Sequence, residues 1–74
     1  MITTARPHWR HGARTNWTHE AGARVWRDSA LGCWYAVIEG ERRLQRSFAS
    51  RDDAMSAAEL ALARRAAIAQ EPRP

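Results

Sequence analysis

Residues 32–54, GCWYAVIEGERRLQRSFASRDDA, hold the most regular local pattern in this chain. Residues 33–39 are rich in β-branched and aromatic side chains, which is typical of a β-strand. Residues 39–41, Glu-Gly-Glu, then predict a tight turn, because Gly40 tolerates the positive φ that such turns need. These patterns predict a β-hairpin whose returning strand is residues 42–48.

A third strand is predicted upstream of this hairpin, over residues 23–28, ARVWRD. The connection to the hairpin contains Asp28, Ser29 and Gly32, which are residue types that favour turns. The three strands follow one another through short connections, so the sequence predicts a three-stranded antiparallel meander.

A helix is predicted over residues 51–69, roughly 28 Å long at 1.5 Å per residue. Ser50 is a favourable N-cap, with Asp53 at the capping-box position, and Asp52 adds negative charge at the positive end of the helix dipole. Leu60 falls on the polar side and has no predicted partner. The predicted apolar side gathers Ala54, Met55, Ala58, Ala61, Leu62, Ile68 and Ala69.

Strand periodicity assigns the aromatic pair Trp34 and Tyr35 to opposite faces of the sheet. If residues 39–41 form the hairpin loop, Tyr35 faces away from the helix with Val37, Arg43 and Gln45. The helix side then receives Trp34, Ala36, Ile38, Leu44 and Phe48. The predicted fold class is therefore α+β, a three-stranded meander packed on one C-terminal helix (β-β-β-α).

The predicted domain covers residues 22–70. Residues 1–21 show no sustained periodicity and predict a flexible basic and aromatic arm, with a short extended piece near Trp17. Residues 71–74 are predicted to be a disordered tail, because proline does not continue a helix.

Composition restricts the class of protein. The 74 residues include one cysteine, Cys33, which excludes an internal disulfide and is typical of a reducing compartment. The chain shows no apolar run of the kind found in signal peptides or membrane spans, so we expect a cytoplasmic protein with no membrane partner.

The net charge is +4, and all 12 basic side chains are arginines. An arginine-only basic set suits nucleic acid, but the codon bias of a GC-rich genome would also produce it, so the choice of arginine over lysine is not evidence for either. The excess of positive charge itself lies toward the N-terminus, among Arg6, Arg10, Arg14, Arg24 and Arg27. This excess favours an anionic partner such as nucleic acid.

The hairpin and helix start resemble the AP2/ERF-type DNA-binding domain and the related arm-binding domains of phage integrases. The resemblance spans about residues 24–69, and the matching residues are Trp34, Ala36, Ile38, Phe48, Ser50, Asp53 and Ala54. It implies the β-β-β-α fold and an exposed sheet face that enters the DNA major groove. Val37 and Glu39 depart from the family pattern. The family tends to have a pair of charged residues at these two positions, and the second of them is an arginine.

The resemblance implies that the exposed face binds DNA through Arg24, Trp26 and Arg27 in the first strand and through Arg42, Arg43 and Arg46 in the third. Tyr35 joins this predicted site because it faces away from the helix. Arg10 and Arg14 are added from the arm, where arginines alternate with Trp9 and Trp17, a pattern typical of segments that bind phosphates and stack on bases.

Two alternatives remain open at this stage. The arginines also suit a solvated sheet face, and the arm could instead fold over that face and cover it. A protein-interaction module, including a homodimer, is the second predicted function, suggested by Trp26, Tyr35 and Leu60.

We expect neither catalysis nor a cofactor nor a small-molecule substrate. The chain has no phosphate-binding loop, nucleophile elbow or plausible pair of catalytic carboxylates. His8 and His11 have the spacing H-x-x-H, but no second pair completes a zinc site, so no metal is predicted.

Overall fold

The computed structural model describes residues 7–41, 44 and 46–69, which form one antiparallel sheet and one helix. The strands follow one another in space in the order of the chain, β1-β2-β3-β4, as a meander. They are β1 (Trp9–His11), β2 (Trp17–His19), β3 (Ala23–Asp28) and β4 (Cys33–Ile38), and the helix is α1 (Arg51–Ala69).

The predicted α+β class, with an antiparallel sheet and one C-terminal helix, is confirmed, but the sheet has four strands instead of three. The strands at 23–28 and 33–38 and the helix at 51–69 lie where the sequence predicts them. The additional strands are β1 and β2, from the segment for which the sequence predicts a flexible arm. β2 coincides with the short extended piece predicted near Trp17, whereas β1 is unexpected.

Aromatic packing on the helix side explains why this segment forms strands. Trp9 is buried, its ring meets His19 edge to face at 4.9 Å, and its Nε1 donates a hydrogen bond of 2.7 Å to the Glu59 carboxylate of α1. The Arg51 guanidinium lies 4.8 Å from the centre of the Trp17 ring. Because both tryptophans pack on the helix side, neither covers the opposite face of the sheet.

The predicted third strand, residues 42–48, accompanies β4 only in part. The Leu44 N–H donates to the Ala36 carbonyl at 3.0 Å, and Phe48 and Trp34 exchange two backbone hydrogen bonds of 2.8 Å. Leu44 and Phe48 are four residues apart, whereas their partners Ala36 and Trp34 are two residues apart on β4. A regular ladder therefore cannot form. The prediction of a continuous strand is wrong, and Arg42, Arg43 and Gln45 lie outside the described residues.

The turn after β4 accounts for this irregularity. The Glu41 N–H donates to the Ile38 carbonyl at 2.9 Å, and Gly40 has a φ of +81°, which confirms its predicted role. Glu39 does not have the positive φ that a type I′ hairpin turn also requires. Positive φ at Gly40 and not at Glu39 is the pattern of a type II turn, which splays the two strands that it joins and so disfavours a regular ladder beside β4.

The core lies between α1 and the face of the sheet toward it. Its fully buried side chains include Val25 and Ile38 from the sheet and Met55 from the helix, with Leu62 buried beside them. Trp34 and Leu44 pack against this cluster, which confirms the predicted helix-facing set of Trp34, Ala36, Ile38, Leu44 and Phe48.

The helix confirms its predicted start but not all of its predicted buried side. The Asp53 N–H donates to the Ser50 hydroxyl at 3.1 Å, as expected of an N-cap. Leu60 is 54% exposed, as predicted, whereas Ile68 is 72% exposed and its predicted burial is wrong. A helix of 19 residues is longer than strands of six residues, so its last turns extend past the sheet.

No helix in the described part of the chain combines the length and apolarity that a membrane span requires.

Candidate functional site

The face of the sheet opposite α1, which we call the open face, is the candidate site. Strand alternation places on it one residue of β1, one of β2 and three each of β3 and β4. The described residues place no helix or strand over this face. Its central side chains are Arg10, Thr18, Arg24, Trp26, Tyr35 and Val37.

A row of directly opposed residues crosses all four strands of the open face. Arg10 pairs with Thr18, Thr18 with Arg24, and Arg24 with Val37. Neighbouring strands lie about 4.8 Å apart, so the backbones of Arg10 and Arg24 are about 10 Å apart. Both arginines are exposed, and neither forms an ion pair with a carboxylate among residues 7–41 and 46–69.

An aromatic platform stands beside this row. Trp26 lies opposite Tyr35, their ring centres are 5.8 Å apart and the rings are inclined by 36°. The guanidinium carbon of Arg24 lies 4.8 Å from the Trp26 ring centre, in cation–π contact. Arg24, Trp26 and Tyr35 together form what we call the platform, three flat groups at the surface.

Carboxylates stand at both ends of the open face. Asp28, the last residue of β3, accepts the N–H groups of Ala30 and Leu31 at 2.9 and 3.1 Å, so its charge is held within the β3–β4 turn. Glu39 follows β4 and lines a shallow hollow together with Thr18 and Arg24. Positive charge is therefore concentrated in the row and not at the two ends.

Four of the nine predicted binding residues meet on the open face: Arg10, Arg24, Trp26 and Tyr35. Arg27 does not join them. It is opposite Trp34, and the strand alternation that buries Ala23 and Val25 turns Arg27 toward the helix side of the sheet.

Among the remaining predicted residues, the two that the structure describes also lie away from this group. Arg14 occupies the turn between β1 and β2 with a φ of +55°, and Arg46 lies over the Phe48 ring at 4.9 Å, beside α1. The irregular path of residues 44–48 explains the position of Arg46. The predicted residues outside the described part of the chain are Arg42 and Arg43.

Thr18 is the residue of this site that sequence reasoning missed. It occupies the centre of the row, and its hydroxyl lies 3.5 Å from the Arg10 carbonyl. The only local signal was the alternation in Trp17-Thr18-His19, and a strand of three residues is too short for that pattern to be distinctive.

A second surface is a groove between α1 and the segment 44–49. Leu44, Phe48 and Ala57 form its apolar floor, and Arg46 and Arg64 are basic residues at its sides. Leu60 lines the same groove while remaining largely exposed.

The described residues contain no group of three or more histidine, cysteine, aspartate or glutamate side chains able to hold a metal ion. Comparison of the chain with protein-family models, curated proteins and solved structures finds no match. The resemblance to AP2/ERF-type and integrase arm-binding domains therefore stays a prediction, and function is argued from the open face itself.

Proposed function

We propose that this protein binds nucleic acid through the open face, with DNA as the favoured ligand. The observation that carries the proposal is the row Arg10–Thr18–Arg24 beside the platform. Exposed guanidinium groups form bidentate hydrogen bonds with phosphate, and aromatic rings stack on bases. The open face holds both kinds of group within one surface.

The N-terminal segment contributes to this proposal in a specific way. Arg10 belongs to the row because β1 is part of the sheet. Arg14, in the turn that follows β1, adds an exposed charge at one end of the first two strands. The basic arm thus acts as an edge of the binding face.

Salt dependence tests the proposal, because neutralising phosphates releases bound counterions. Fluorescence anisotropy of labelled DNA, single-stranded and duplex, would measure affinity from 50 to 200 mM salt. We expect Arg24→Gln to weaken binding about tenfold and to lower the salt slope by about one. Arg27→Gln is the matched control, with the same charge change on the same strand but the opposite face, and should have little effect. Failure of the protein to bind either DNA at 50 mM salt would contradict the proposal.

A second candidate function is a protein-interaction module, in the form of a homodimer. At 100° per residue, Ala57, Leu60, Ala61, Arg64 and Ile68 form a stripe along α1 next to its buried side. Leu60 and Ile68 are 54% and 72% exposed and lie about two helical turns apart on this stripe. This stripe borders the groove and suits a partner surface.

Sedimentation velocity tests the homodimer. If the stripe forms the interface, the chain sediments as a dimer, and Leu60→Glu shifts it to a monomer while leaving its helix content unchanged by circular dichroism. The shift is expected because dimerisation would take the glutamate carboxylate out of water, and this desolvation costs free energy even beside Arg64. A strict monomer at high protein concentration would exclude this function.

A further inference from the structure

We infer that the open face takes a single strand with unpaired bases and not a duplex. The inference rests on the proposed function of this face. It adds the form of the nucleic acid, which follows from the kinds of group on the face and from where its charges lie.

The platform suits the flat faces of bases. In a duplex these faces are covered by neighbouring base pairs, and a protein reaches only the base edges in the grooves. The edges are read by forked donors and acceptors, of which the platform has one, Arg24, whereas Trp26 offers one N–H donor and Tyr35 one hydroxyl. Aromatic rings and guanidinium planes instead stack on bases that are splayed out of a single strand.

The spacing of these groups allows one nucleic-acid strand to contact the row and the platform at the same time. Arg24 and Trp26 are two residues apart on β3, which is about 7 Å, and Arg10 is two strands away from Arg24. A phosphate backbone can follow Arg10, Thr18 and Arg24 across the sheet while its bases turn toward the two rings. The guanidinium carbon of Arg24 lies 4.8 Å from the Trp26 ring centre, so a group that can bind phosphate lies next to a ring that can stack on a base.

The charges do not suit two backbones. A duplex presents two phosphate strands, one on each side of the groove that a protein enters, and the major groove is about 12 Å wide. The described open face has one row of cations, with Glu39 beyond it at one end and Asp28 beyond the rings at the other. A second backbone would therefore meet carboxylates, and like charges repel it.

Anisotropy with fluorescein-labelled 12-mers tests the inference at 50 mM salt, with oligo(dT), oligo(U) and a mixed-sequence 12-base-pair duplex. We expect the single strand to bind at least tenfold tighter than the duplex, and the two oligomers to separate DNA from RNA preference. Tyr35→Leu should weaken single-strand binding roughly 5- to 150-fold, the range for loss of one base stack.

Tyr35→Phe is the matched control, because it keeps the ring and should keep single-strand affinity within about twofold. Trp26→Leu repeats the test at the second ring, and circular dichroism checks that each variant is folded. If one leucine variant does not fold, two measurements still test the inference. They are the affinity of Tyr35→Phe relative to wild type, and the affinity of wild type for the duplex relative to the single strands.

The outcomes separate this inference from the proposed function. A duplex bound as tightly as oligo(dT), with loss of binding in Arg24→Gln, would overturn the single-strand inference and leave nucleic-acid binding in place. Equal losses for Tyr35→Phe and Tyr35→Leu would also overturn it, because the ring would then not be the binding element. No binding to any of the three probes would overturn both.

Discussion

Replacing Arg10 and Arg24 together with glutamate is expected to weaken nucleic-acid binding about 100-fold or more at 50 mM salt. Each exposed guanidinium is placed to make at least one hydrogen bond to a phosphate, worth about 1.5 kcal/mol or more. The two losses add to about 3 kcal/mol, and the two new carboxylates repel the backbone as well. Anisotropy with a labelled oligonucleotide measures the change.

The matched control for this variant is Arg27→Glu with Arg64→Glu. It carries the same net charge, but its exposed positions lie on the helix side of β3 and on α1 itself. We expect it to reduce affinity less than tenfold, through the long-range field alone. If both double variants lost binding equally, attraction would depend on total charge and the open face would have no special role.

Ile38→Ala is expected to destabilise the fold by about 2–5 kcal/mol, the range for removing a large aliphatic side chain from a core. Ile38 is 1% exposed and is one of the largest fully buried side chains. A domain of this size has a total free energy of unfolding of about 4–11 kcal/mol. Urea denaturation should therefore show a large fall in the midpoint.

The neighbouring Val37 gives the control for this stability measurement. It lies on the same strand as Ile38 but is half-buried on the open face. Val37→Ala should therefore lower the free energy of unfolding by less than about 1 kcal/mol. Equal costs at the two positions would show that the open face is covered in solution, and would contradict the assignment of the two faces.

The sequence was sufficient for the elements with long, regular patterns. β4 and α1 each have enough residues for their periodicity to appear, and alternation assigned Trp34 and Tyr35 to opposite faces. The larger apolar set on the side of Trp34 then identified that side as the core. The N-cap Ser50 was equally readable because its hydrogen bond partner is three residues away.

Apart from the extended piece predicted near Trp17, the strands β1 and β2 could not be predicted in this way. Each is three residues long, and the contacts that fix them are distant in sequence, such as the hydrogen bond between Trp9 and Glu59, 50 residues apart. No local pattern reports a contact of that kind. Thr18 was missed for the same reason, since its position in the row depends on the pairing of β2 with both neighbours.

Arg27 and Arg46 both lie away from the predicted binding face, but only the position of Arg27 could have been predicted from the sequence. Arg27 shares the alternation of Ala23 and Val25, so a strict period of two already assigns it to the helix side. Arg46 lies between Leu44 and Phe48, where the number of residues between successive contacts with β4 does not fit the two-residue period of a strand. Its position required the structure.

The most direct test of nucleic-acid binding at the open face is an amide and indole NMR spectrum of labelled protein during titration with oligo(dT). We predict that the Trp26 indole signal and the amides of residues 10, 18, 24–26 and 35–37 shift, and that the shifts fade as salt is raised. The indole of Trp9, held by Glu59 on the helix side, should stay in place. A spectrum that does not move, or shifts confined to α1 and residues 44–49, would contradict the account.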